Sequence, residues 1–126
     1  MAKMIHSMIR VTDEARSLAF YKAAFGLEPV ERLDFDSFTL VYLANAESSF
    51  ELELTINKGR EDPYERGNGY GHLAVSVDDV PAEHARLTAA GLKAHPLVCD
   101  VTDVRAFAAA VAALPGLDVF VNNAGT

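Results

Sequence analysis

The stretch Phe-Glu-Leu-Glu-Leu-Thr-Ile-Asn at 50–57 alternates apolar and polar side chains, the two-residue period of a strand with one buried face. Glu51, Glu53, Thr55 and Asn57 fall on one side, and Leu52, Leu54 and Ile56 on the other. The polar side either meets water, as in many one-sided antiparallel sheets, or fronts a polar cavity with the core behind it. Residues 5–11 read as a first strand, with His6, Met8 and Arg10 on one face. Leu18, Tyr21 and Phe25 then recur at helical spacing, and Phe20 and Ala24 widen the stripe. Thr12 or Asp13 can cap this helix, and Gly26 suits the position just past its end. A short strand near 30–34, a turn at 34–37, a strand at 38–44 and a turn at 45–49 lead back to 50–57. The predicted order is strand, helix, strand, strand, strand.

After a polar loop at 58–68 the pattern restarts. Residues 69–78 predict a strand with His72, Ala74 and Ser76 on one face. Asp78 or Asp79 caps a second helix with Pro81 early in it, where a missing N–H costs little, and Gly91 ends it. Residues 92–98 can form another strand. The restart is a weak internal repeat, with His72 standing where His6 stood. From Val98 the texture changes: Asp100 and Thr102 can cap an alanine-rich helix at 103–114, Pro115-Gly116 breaks it, and 117–122 suits a buried strand. A strand-helix-strand unit belongs to parallel sheets and does not complete the repeat.

Half of the 126 residues are hydrophobic and 23% are charged, which fits a globular chain of one domain, or of one domain with a short appendage. The net charge of −7, with no Lys/Arg cluster to offset it, argues against a phosphate-backbone partner. Cys99 is the single cysteine, so no intrachain disulfide can form and a reducing compartment is expected. No apolar run approaches the roughly 18 residues of a membrane span, and the first residues do not read as a signal peptide. A cytoplasmic protein is expected.

His6 and Arg10 lie four residues apart on one strand face, as Glu53 and Asn57 do on another. Each pair spans roughly 13 Å. If the two strands run side by side, His6 and Glu53 mark one end of a groove, and Arg10 and Asn57 the other. His72 takes the matching place in the repeat. Two imidazoles and a carboxylate suit a divalent metal such as zinc or nickel. An arginine and an amide at the far end suit a carboxylate. The groove therefore asks for an elongated anionic ligand whose reactive end reaches a metal.

His6-Ser-Met-Ile-Arg-Val, Arg16-Ser-Leu-Ala-Phe-Tyr21 with Phe25-Gly-Leu27, Leu52-Glu-Leu-Thr-Ile-Asn-Lys-Gly59 and Gly67-Asn-Gly-Tyr-Gly-His-Leu-Ala-Val-Ser-Val-Asp78 resemble, in order, the motifs of glyoxalase I (lactoylglutathione lyase) of the vicinal oxygen chelate superfamily. The resemblance covers 4 to about 95. It implies an α+β fold of paired βαβββ modules forming an open barrel, and an active site shared across a homodimer. It implies His6, Glu53 and His72 as ligands of nickel or zinc, and Arg10 and Asn57, with Thr55, as holders of the glutathione moiety. The implied reaction converts the methylglyoxal–glutathione hemithioacetal to S-lactoylglutathione. The metal would act as Lewis acid while a carboxylate, for which Glu53 is the candidate, moves the proton.

The second module is incomplete. The family continues it with two more strands carrying a fourth ligand, a glutamate, whereas no glutamate follows residue 97 here. Asp100 is the nearest candidate substitute. The chain reads as a glyoxalase-like domain at 1–97 and a tail at 98–126. Val98-Cys-Asp-Val-Thr-Asp103 and Asp118-Val-Phe-Val-Asn-Asn-Ala-Gly-Thr126 resemble a short-chain dehydrogenase fragment. The Gly-rich dinucleotide loop and Tyr-x-x-x-Lys pair of that family are absent, so no nicotinamide site is expected. The alternatives to a lyase are a non-catalytic ligand-binding member of the superfamily and a chimera without activity.

Overall fold

Alternation and capping act locally to set the first half of the chain. Strand β1 (His6–Val11) leads to helix α1 (Glu14–Phe25), then β2 (Glu28–Asp34), β3 (Phe38–Ala44) and β4 (Glu51–Asn57). The computed structural model describes residues 3–65, 67, 73, 75–100 and 102–114. Asp13, not Thr12, caps α1: its carboxylate accepts from the Arg16 N–H at 2.9 Å. Gly26 ends the helix in the left-handed region, φ 64°, where a side chain would be disfavoured.

The four strands form one sheet in the order β1-β4-β3-β2. β1 pairs with β4 in parallel, while β2 with β3 and β3 with β4 pair antiparallel. Both outer strands are largely exposed. Pro29, which cannot donate to a ladder, is tolerated on an edge strand beside an irregularity. Val41, Leu43, Leu52 and Leu54 come from the central strands and join Tyr21 and Ala24 of α1 in the core. Leu43 and Leu54 are fully buried, which contributes about 1.5–3 kcal/mol each. Arg32 on β2 pairs with Glu14 on α1, and the Asn45 amide donates to the Phe25 carbonyl at 3.0 Å, so the start of the helix is tied to β2 and its end to the turn after β3. The expected strand-helix-strand-strand-strand order is present.

The chain divides into two compact units, Met1–Arg66 and Gly67–Thr126. The second contains helices α2 (Val80–Ala89) and α3 (Val104–Ala112). Asp79 caps α2, and Gly91 follows its end with φ 77°. The cap of α3 is Asp103, not Asp100 or Thr102: its carboxylate accepts from the N–H groups of Arg105 and Ala106. The strand expected at 92–98 does not form; these residues are irregular. Pro96 interrupts the donor row, which a strand can afford only at an edge or bulge. Much of the strand expected at 69–78 and all of 117–122 lie outside the described residues. The described part of this unit, including 73 and 75–77, contains no strand. The fold is α+β, with an open four-stranded sheet and a second module incomplete in sequence.

Candidate functional site

β4 lies between β1 and β3. Met8 and Tyr42 stand opposite Glu53 on either side, and Arg10 and Leu40 stand opposite Thr55. Directly opposed residues share a sheet face. His6, Arg10, Tyr42, Glu53, Thr55 and Asn57 therefore stand on one face, with the core on the other. Glu53 and Thr55 retain only 8% and 7% of their exposure, so the polar side of β4 is not an open, water-facing surface.

A carboxylate withdrawn from water needs compensating partners. Glu53 Oε1 accepts from the Thr55 hydroxyl at 3.1 Å, and Oε2 lies 3.5 Å from His6 Nε2. Among the described residues no lysine or arginine pairs with Glu53. The pair fits a divalent ion. Nitrogen and oxygen ligands about 2.0–2.2 Å from one ion sit about 2.9–3.5 Å apart at angles between square and tetrahedral. An imidazole and a carboxylate are also suitable donors for zinc or nickel. Across β4 the His6 ring stands edge-on to Tyr42, with centroids 5.6 Å apart and planes at 77°. The Tyr42 pKa is raised, first by hydrogen bonding with the Glu53 carboxylate and then by burial and nearby negative charge.

The far end of the face carries Arg10 and Asn57. Arg10 is exposed, and its side chain has no hydrogen bond or ion pair among the described residues. The Asn57 carbonyl oxygen accepts from the Tyr64 hydroxyl at 2.7 Å. The Arg60 guanidinium lies 4.0 Å over the Tyr64 ring and donates to the carbonyls of Asp62 and Pro63. The loop after β4 is thereby fastened to one side of Asn57.

Of the three expected ligands, His6 and Glu53 converge, while His72 lies outside the described residues. Among the described residues no group of three or more His, Cys, Asp or Glu side chains is placed to hold a metal. Arg10, Thr55 and Asn57 occupy the same face, and Thr55 turns its hydroxyl to Glu53. Asp100 is engaged locally: its carboxylate accepts from the Thr102 N–H at 2.8 Å and hydroxyl at 2.7 Å, and these bonds hold its pKa below the usual aspartate range. Tyr42 and Tyr64 were not singled out from the sequence. Alternation along 38–44 does place Tyr42 in a row with Phe38 and Leu40, but its neighbours follow only once β3 is paired with β4. Tyr64, in a loop, has no periodic signal.

Residues 3–112 match the Glyoxalase/Bleomycin resistance protein/Dioxygenase superfamily. The lactoylglutathione lyase of Haemophilus influenzae is 38% identical over 93 residues, which cover 71% of this chain and 68% of that protein. A probable lactoylglutathione lyase of Vibrio cholerae is 37% identical over 93 residues, covering 71% of this chain and 67% of that protein. Among solved structures, the trypanothione-dependent glyoxalase I of Leishmania major aligns with a TM-score of 0.64 at 37% identity, over 72% of this chain and 68% of that one. The chain thus spans about two thirds of the length of these relatives.

Proposed function

The chain belongs to the Glyoxalase/Bleomycin resistance protein/Dioxygenase superfamily, and from that membership we propose that it is a glyoxalase I-like, metal-dependent lyase. Its reaction is the isomerisation of the methylglyoxal–glutathione hemithioacetal to S-lactoylglutathione. The observation that carries this reading is the 3.5 Å approach of His6 Nε2 to Glu53 Oε2, on the face where Arg10 stands unpaired among the described residues.

His6 and Glu53 would hold the ion, with His72 proposed as a third ligand from its motif alone. Nickel or zinc is the proposed metal. When bound, it supplies Lewis-acid stabilisation of the negative charge that develops on the substrate oxygens. Glu53 is the candidate for moving a proton between neighbouring carbons, and burial keeps its carboxylate away from bulk water. Arg10 takes a carboxylate of the glutathione moiety, where a guanidinium binds well. The side-chain amide nitrogen of Asn57, without a partner among the described residues, donates beside it, and Thr55 fixes the rotation of Glu53. The protein acts as a homodimer in the cytoplasm, a setting that a single free cysteine, Cys99, suits. The segment 98–126 is a short-chain-dehydrogenase-like appendage to the domain at 1–97.

A second reading, ligand binding without turnover, has one observation in its favour: no glutamate follows residue 97. The test is thioester formation from methylglyoxal and glutathione with nickel or zinc added, run beside calorimetry with S-lactoylglutathione. Turnover supports the lyase. Binding of S-lactoylglutathione without turnover supports the second reading, and neither binding nor turnover sinks both.

A further inference from the structure

We propose that Tyr42 is a positioning residue for the ion-binding pair, with its ring setting the plane of His6. The inference rests on the metal-site reading above and goes beyond it, because Tyr42 belongs to neither the ligand set nor the substrate-binding set.

Three neighbouring strands each contribute one side chain: β1 gives His6, β4 gives Glu53 and β3 gives Tyr42. The register puts Tyr42 directly opposite Glu53 and His6 two positions along, opposite Glu51. His6 and Tyr42 are therefore not strand neighbours. Strands separated by one other stand roughly 9–10 Å apart, yet the two rings meet edge to face at 5.6 Å. Both side chains must lean over β4, and each limits where the other can go. Edge-to-face contact is directional, so the ring selects an orientation of the imidazole as well as a distance.

The Glu53 carboxylate is constrained from the same direction. Thr55 occupies Oε1 at 3.1 Å, while Oε2 is the oxygen near His6. Thr55 holds the carboxylate so that its other oxygen is presented on the His6 side. Outer partners of this kind orient ligands, and their loss typically lowers metal affinity 10–100-fold.

The test uses the full chain as wild type, Tyr42→Phe and Tyr42→Leu. Each is titrated with cobalt(II), read by calorimetry and by visible absorption of the bound ion. Thermal unfolding followed by circular dichroism serves as control. Tyr42→Phe keeps the ring against His6 and removes only the hydroxyl. It is expected to fold, to take up cobalt and to absorb as wild type does. Tyr42→Leu removes the ring and is expected to bind cobalt about tenfold more weakly and to shift the absorption band. A purely structural role for Tyr42 would lower the unfolding temperature without moving the band, and would overturn the proposal. Wild-type affinity and spectrum in Tyr42→Leu overturn it while leaving the metal site standing. A wild-type chain that takes up no cobalt overturns the metal site and the proposal together. Should Tyr42→Leu fail to fold, Tyr42→Met is read in the same way.

Discussion

Arg10 and Glu53 stand on the same sheet face with opposite needs. Glu53 is a buried anion whose described partners are a hydroxyl and an imidazole, so it gains from an added cation. Arg10 is an exposed cation with no described partner, so it can take an anion at little desolvation cost. Arg10→Ala is expected to raise KM for the glutathione adduct on the order of tenfold, since hydrogen bonds to charged groups are worth about 1.5–3 kcal/mol, with a smaller effect on kcat. Steady-state kinetics on the metal-loaded protein checks this, and an unchanged KM would remove Arg10 from the site. On the opposite face, Leu54 is fully buried, and Leu54→Ala is expected to cost about 2–5 kcal/mol in denaturant unfolding through the cavity it leaves. His6, Glu53 and Arg10 were legible in the sequence because strict alternation decides the face of each residue. Tyr42 was not, because its role depends on which strand lies beside β4.

Single polar side chains do much of the work of starting and stopping elements. The Asp13 carboxylate caps α1 through the Arg16 N–H, so Asp13→Ala is expected to cost about 1 kcal/mol of unfolding free energy. On the edge strand β2, Arg32 and Thr39 hydrogen-bond Asp34, and these bonds, Arg32 first, lower its pKa. The stability this group contributes is present above the ordinary aspartate pKa and is lost as pH falls through its lowered value. Denaturant midpoints are therefore expected to fall on the acid side for wild type, with a smaller drop for Asp34→Asn. Equal acid sensitivity in the two proteins would contradict the assignment. The helices were legible because caps and terminal glycines act within a few residues of chain. Residues 92–98 show where that ends: a strand needs a partner ladder as well as a pattern, and Pro96 leaves a gap in the donor row.

Across the whole molecule, the first unit supplies its own core from α1 and the central strands. None of the described residues of the second unit is buried, and no described helix is long and apolar enough to cross a membrane. Local patterning announced the βαβββ half because β2, β3 and β4 pair with neighbours in sequence, and β1, which pairs with the distant β4, carries its own alternation. It could not announce how the remainder is completed, since the strand-helix-strand pattern after 97 does not continue the repeat. The proposed homodimer predicts a light-scattering mass of twice the 13.6 kDa chain, and a monomer at working concentrations would remove the shared-site part of the reading. The central claim is that His6 and Glu53 share a divalent ion. The most direct measurement is the nickel or zinc content of wild type and Glu53→Ala after equilibration with each ion and removal of excess. Stoichiometric metal in the wild type and none in the variant is the expected result; equal content in the two proteins, or none in either, would contradict it.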